Sequence, residues 1–252
     1  MRRRPRLLLA ELALLGLAIA AAGCGGTSND IVASSTNGLA TVRTGVLSLG
    51  ILIRPEGGAG RHPFGFQLRG PFSLAGSAPR ARMTYRQIAN GHVGTATVVL
   101  GPSSGYVEAD GQRRPLTAAQ LSSYRTAAES AAGGGGLPLR EWVKSQHEQP
   151  CGTNVCVTGA LDPAKALTGL LDLEGSLGKP VQTSDALVRA VRSARYQLVA
   201  SKGANELRRL SMAIAFRLPV PANLRPSLGA SVGATIDFQF GLAKPNADVG
   251  LR

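Results

Sequence analysis

Apolar residues recur at every second position over several stretches of this chain, the pattern of strands that turn one face to a core. Residues 41–54 (TVRTGVLSLGILIR) place Leu47, Leu49, Ile51 and Ile53 on one face. Residues 64–74 repeat the pattern with Phe64, Phe66, Leu68, Phe72 and Leu74, and Gly57, Gly58 and Pro63 supply the intervening turn. Residues 80–88 set Arg80, Arg82, Thr84 and Arg86 against Ala81, Met83 and Tyr85, which predicts a half-exposed strand. Further strands are predicted at 94–100 and 104–109, and Asp110-Gly111 turns the chain toward a short strand around Arg113. Together these predict an antiparallel meander.

The period then changes. Thr117 with Gln120 three positions on forms a capping box opening a helix over 118–131, and the glycines at 133–136 end it. Pro138 opens a second helix with Leu139, Trp142 and Val143 on one side and Glu141 and Glu148 on its solvated face. A strand follows at 154–160. Asp162 and Pro163 cap and start a helix to about Leu173, with Ala166, Leu167, Leu170 and Leu171 as its apolar stripe. Another helix, from about Ser184 to Ala194, buries Leu187, Val188 and Val191.

The last third returns to strands. Residues 195–201 and 206–218 flank a hairpin turn at 202–205, and the second strand alternates Leu210, Met212, Ile214, Phe216 and Leu218 against polar or small positions. The final strand carries Val232, Ala234, Ile236, Phe238, Phe240 and Leu242 on one face and Thr235, Asp237 and Gln239 on the other. The fold class is therefore α+β: an antiparallel sheet, apolar on one face, with the helical middle covering that face. The chain shows no internal repeat and no domain boundary after its N-terminus.

That N-terminus reads as an address. Arg2, Arg3, Arg4 and Arg6 precede an apolar stretch from Leu7 to Ala22, interrupted by Glu11. Its 16 residues fall short of the roughly 20 that a bilayer-spanning helix needs, and the layout is that of a secretory signal. Ala21-Ala22-Gly23-Cys24 resembles the bacterial lipobox, in which the cysteine takes a thioether-linked diacylglycerol and becomes the mature N-terminus. The resemblance makes residues 1–23 a lipoprotein signal peptide and Cys24 the lipid anchor on the outer face of the cell membrane. Residues 24–36 then form a lipidated N-terminus and flexible tether, with a span of roughly 20 Å, and 37–252 a single domain.

Composition sharpens the picture. There are 32 glycines and 15 prolines, and aromatic residues make up 4%, which suits a turn-rich sheet protein. The net charge is +13, and removing residues 1–23 takes four arginines and one glutamate, leaving +10. No Lys/Arg run or aromatic interleaving marks a nucleic-acid binder, so attraction to anionic lipid headgroups or a solvated surface accounts for the excess. With Cys24 lipidated, Cys151 and Cys156 remain. In an exported protein, two such near neighbours form a structural disulfide, a small ring adding about 2 kcal/mol. Their spacing is not the Cys-x-x-Cys of redox enzymes.

Catalytic patterns find no support. Residues 101–105 match Gly-x-Ser-x-Gly at Ser103, but that chemistry needs a strand-to-helix turn, and a strand follows here. His62, His92 and His147 are too scattered for a metal triad, and the glycines at 133–136 lack the Lys-Ser/Thr of a phosphate loop. No cofactor is expected.

Over residues 40–242 the order of elements resembles the LppX/LprG group of actinobacterial lipoproteins, themselves similar in shape to the LolA/LolB carriers. Local texture carries the resemblance too. It lies in Leu137-Pro138-Leu139 with Trp142, in the run from Val157 to Asp162 leading into Leu170-Leu171, and in Leu207-Arg208-Arg209-Leu210 before an alternating strand. The resemblance implies a strongly curved antiparallel half-barrel with helices across its concave face and a cavity that holds acyl chains of lipids or lipoglycans. Wall candidates are Leu47, Leu49, Ile51, Ile53, Phe64, Phe66 and Leu68 from the first strands, and Leu167, Leu170 and Leu171 from a helix. Leu210, Met212, Ile214, Phe216, Ile236, Phe238 and Phe240 from the last strands complete the set. Helices 118–131 and 162–173 would form the lid. The partners implied are lipid, the membrane through Cys24, and an unidentified envelope transporter or acceptor, with no nucleic acid. The same apolar residues would equally fill the core of a non-enzymatic envelope interaction or structural protein. The two readings differ in whether the helices pack fully onto the sheet.

Overall fold

The computed structural model describes residues 30–56, 62–76, 78–132, 138–175, 185–220, 222–224 and 231–251. Two meanders share one sheet. The first comprises β1 (Thr44–Pro55), β2 (Phe64–Ser73), β3 (Arg80–Ala89), β4 (His92–Leu100), β5 (Gly105–Ala109) and β6 (Gln112–Pro115). The second comprises β7 (His147–Cys151), β8 (Asn154–Ala160), β9 (Val191–Ser201), β10 (Leu207–Pro219) and β11 (Ser231–Ala243). They join where the first strand pairs with the last, giving the order β6-β5-β4-β3-β2-β1-β11-β10-β9-β8-β7. Every pairing is antiparallel, and β6 and β7 are left as edges, so the sheet is open and not a barrel. The predicted α+β class is the one observed.

Helices α1 (Ile31–Gly38), α2 (Ala118–Ala132), α3 (Leu139–Trp142), α4 (Pro163–Gly175) and α5 (Asp185–Ala190) accompany the sheet. Their buried residues, among them Val32, Leu139, Trp142, Ala166 and Leu170, join the same core cluster as the apolar strand positions. The opposite face of the sheet presents exposed residues such as Ser48, Gln67, Arg69 and Gln239. One face is therefore inner and covered, the other outer and wet.

The local signals in the sequence operate as their chemistry requires. The Thr117 amide donates to Gln120 Oε1 at 2.9 Å and the Gln120 amide to Thr117 Oγ1 at 3.2 Å, closing the capping box of α2. Asp162 Oδ1 accepts from the amides of Ala164 and Lys165 at 3.0 and 3.1 Å, capping α4. These bonds, with Lys144 Nζ 3.3 Å away, hold the Asp162 carboxyl below its ordinary pKa, the Lys165 amide first among the causes. Asp110 and Gly111 both adopt positive φ (52° and 71°) in the turn between β5 and β6, which an Asp-Gly pair tolerates.

Three expectations need correction. Residues 31–36, expected in the flexible tether, fold as most of α1, with Val32, Ser35 and Thr36 buried. The predicted helix beyond Pro138 stops at Trp142. Val143 forms a bridge with Leu161, and Glu148 lies in strand β7, on a different element from Glu141. The helix predicted to Ala194 ends at Ala190, and Val191 belongs to β9, where a register shift sets it opposite Phe216. The Leu187 side chain lies outside the described residues.

Helix α4 approaches α3 closely enough that a Cβ on Gly169 would overlap the Trp142 ring. Glycine is thus required there by contact, in a helix where it costs about 1 kcal/mol relative to alanine. Gly169→Ala is expected to lower stability by about 1–3 kcal/mol, the cost of overpacking. Urea titration would measure it, and Trp142, the sole tryptophan, would show a shifted emission maximum as its ring is displaced.

Candidate functional site

The inner face is built from ladder rows in which directly opposed residues point the same way. One row runs across nine strands through Val157, Leu198, Leu210, Phe240, Leu49, Leu68, Tyr85, Ala96 and Ala109. All but Ala109 are buried. The next row carries Tyr196, Met212, Phe238, Ile51 and Phe66, and Phe66 stacks on Tyr85 with ring centroids 6.0 Å apart.

Burial is graded along the strands. Among the predicted wall residues, Leu47, Leu49, Phe66, Leu68, Leu167, Leu170, Leu210, Met212, Ile214, Phe238 and Phe240 are buried. Ile51, Ile53, Phe216 and Ile236 are only partly covered, and Phe64 is 46% exposed. The Leu171 side chain lies outside the described residues, as does Cys24. The less-covered residues are neighbours: Ile53 stands opposite both Phe64 and Ile236, and Ile236 opposite Ile214, one pair from Phe216. The apolar face thus has a closed half and an open end, spread over β2, β1, β11 and β10.

Helix α1 contributes to the closed half. Asp30 caps it by accepting from the amides of Val32 and Ala33 at 3.0 and 3.2 Å, and its second oxygen pairs with Arg140 in α3. Ser35 and Thr36 return their hydroxyls to the carbonyls of Ile31 and Val32, so a helix rich in Ser and Thr buries no free hydroxyl there. Sequence reasoning missed this helix, although Asp30 before Ile31-Val32 is a capping signal.

Two tyrosines carry unpartnered polar atoms into the interior. The hydroxyls of Tyr85 and Tyr196 are buried without a hydrogen-bond partner among the described residues. Burial raises the Tyr85 pKa, and pushes Tyr124 and Tyr196 up to about 12, with the Asp30 charge adding to the effect at Tyr196.

The disulfide between Cys151 and Cys156 is present, with Cα atoms 5.8 Å apart, and it ties the β7–β8 hairpin. Ser103 lies in the turn between β4 and β5, where the Gly101 amide donates to the Ser104 carbonyl at 2.8 Å and a strand follows. Among the described residues no group of three His, Cys, Asp or Glu is placed to hold a metal ion, and no helix is long and apolar enough to cross a membrane.

No family model matches the chain, and no curated protein matches it. Among solved structures it is similar to the crystal structure of LprF from Mycobacterium bovis. The identity is 13%, with 97% of this chain and 96% of that chain covered and a TM-score of 0.44. A DUF1329 family protein from Desulfovibrio piger is similar at 9% identity, over 84% and 88% of the two chains, with a TM-score of 0.24.

The tyrosines make stability depend on alkaline pH. Their folded pKa values lie above the ordinary value of 10.0, so below about pH 10 both folded and unfolded phenols are protonated and stability does not vary on their account. Between about 10 and 12 the unfolded chain loses the proton first, and stability falls. Denaturant titrations across this range should show that decline, and Tyr196→Phe should make it shallower.

Proposed function

We propose that this protein is an exported lipoprotein, held on the outer face of the cell membrane by a lipid on Cys24. It binds acyl chains of lipids or lipoglycans between sheet and helices and carries them within the envelope. The observation that carries the reading is the open end of the inner face. An apolar surface continuous with the core reaches solvent at Phe64, Ile53, Ile51, Ile236 and Phe216, where a dry core would be expected to close. The LppX/LprG resemblance of the sequence points to the same use.

The physical task is modest. An acyl chain moved into water loses about 0.8 kcal/mol per methylene, whereas one moved from bilayer to an apolar slot loses almost nothing. A carrier therefore needs to match the bilayer and not exceed it, and a smooth wall of Leu, Ile, Phe and Met does so without fixed hydrogen bonds. Entry would run past Phe64 along β1 and β2 toward Leu49 and Leu68. The buried Tyr85 and Tyr196 are the polar groups that such a chain would meet. A second reading, a non-enzymatic envelope protein with a filled core, is favoured by the complete burial of Leu49, Leu68, Leu198, Leu210 and Ile214.

The test begins with residues 30–252, starting at Asp30 so that α1 is kept. Organic extracts of the purified domain are expected to contain stoichiometric diacyl or triacyl lipid by mass spectrometry. Ile53→Asp and Phe64→Asp, at the open end, should each weaken uptake of a fluorescent acyl probe by about tenfold or more, because an unpaired carboxylate against a chain costs more than about 1.4 kcal/mol. Ser48→Asp, on the outer face, should leave uptake unchanged. A domain that carries no lipid and takes up no probe would select the filled core.

A further inference from the structure

The outer face of the sheet carries a feature that the acyl-binding reading does not use. A groove of about 500 Å³ crosses it at the junction of the two meanders, between Arg69 on β2 and Arg208 and Arg209 on β10. Its floor is built from small positions. In the ladder, Arg69 stands opposite Ser48, Ser48 opposite Gly241, and Gly241 opposite Arg209, so two arginines flank a Ser-Gly pair in one row. Three strand spacings set them about 14 Å apart. Ser211 and Gln239 add polar groups in the next row.

The positive field continues on both sides. Arg69 is opposite Thr84 on β3, which puts Arg82 and Arg86 at its two diagonal positions, roughly 7–8 Å away. On the far side Arg195 of β9 projects from the same face, beside Ser211 and Asp237 in a second, smaller hollow. The carboxylates near this face are already engaged: Asp237 with Arg54 at 3.0 Å, Glu56 with Arg217 at 3.1 Å, and Glu206 with Arg208 at 2.7 Å. Arg69, Arg82, Arg86, Arg195 and Arg209 have no ion-pair partner among the described residues. Like charges gathered on one rigid face raise the free energy of the fold, a cost removed by a partner that brings several anions at once.

We infer that this face docks on an anionic lipid surface, with the phosphodiester headgroups seated in the arginine groove. Guanidinium groups suit phosphate because their planar fork bonds two of its oxygens, and arginine supplies every unpaired cation here. The cations run over five strand spacings from β3 to β9, about 24 Å, far more than one phosphate occupies but matched by a row of headgroups. This docking does not depend on what the inner face binds.

The test is co-sedimentation of the full chain with vesicles of phosphatidylcholine alone and of equal parts phosphatidylcholine and phosphatidylglycerol. The apolar N-terminal segment contributes to both, so the measured quantity is the ratio of the two affinities. At low salt each surface arginine is worth about a fivefold gain in affinity, so Arg69→Ser with Arg209→Ser should cut the ratio roughly 25-fold. Arg114→Ser with Lys165→Ser removes the same charge elsewhere and should change the ratio by less than about threefold. Urea titration checks that both variants remain folded. The inference fails if wild type shows no preference for phosphatidylglycerol, or if both double variants lose it equally. It also fails if inorganic phosphate, at matched ionic strength, displaces wild type from the vesicles, which would mark a site for soluble phosphate. Binding of a soluble anionic polysaccharide without vesicle preference would overturn it in favour of a polyanion.

Discussion

The pairing of β1 with β11 is the contact on which the rest of the structure depends. It sets Val46–Pro55 against Ala234–Ala243, residues from the two ends of the folded chain, and places them at the centre of the sheet. Without it the protein is two separate meanders, each with a long apolar strand unprotected. Closing a loop of about 200 residues costs roughly 5 kcal/mol of chain entropy beyond a constant, so this pairing must be strong. It is secured at one end by polar bonds: the Arg43 amide donates to Asn246 Oδ1 at 2.8 Å, and Thr44 Oγ1 donates to the Ala247 carbonyl at 2.7 Å. Contacts this distant in sequence also make for slow folding.

The topology explains where the helices lie. Because β6 and β7 are at opposite edges, the chain that links them, with α2 and α3, must travel the width of the sheet, and the apolar inner face is the side that rewards it. The excursion between neighbouring β8 and β9 adds α4 and α5 to that side. The edges themselves are short and blunted. β6 has four exposed residues, including Arg113, Arg114 and Pro115, and β7 carries Pro150 and the disulfide.

What could be read from the sequence was whatever repeats locally. Period-two strands such as 64–74 and the last strand are where they were expected, because each carries large apolar residues on one face and polar ones on the other. Strand β7 gives no such signal: HEQPC is polar, edge-lying and almost wholly exposed, and the sequence pattern carries Glu148 on the preceding helix instead. Helix α1 was hidden by Ser34, Ser35 and Thr36, poor helix formers that here satisfy themselves on backbone carbonyls. The wall candidates were legible as a face, but their division into a closed half and an open end depends on which helices reach them. Arg69 and Arg209 each stand beside a buried inner-face leucine, Leu68 and Leu210. Their convergence on Ser48 and Gly241 exists only through the β1–β11 register.

The folding of α1 onto the core has a consequence for reach. Only five residues, Gly25 to Asn29, separate Cys24 from the capping residue Asp30, and the six steps of chain between them extend at most about 20 Å. On the proposed lipidation of Cys24, a body leashed so closely could not ferry anything across the width of an envelope. On the same proposal, cargo would have to be passed on within arm's length of the bilayer, to a neighbour that comes to it. In such a relay the rate would depend on lateral encounters in the membrane plane, and lengthening the leash would change who can receive the cargo before it changed how tightly the cargo is held.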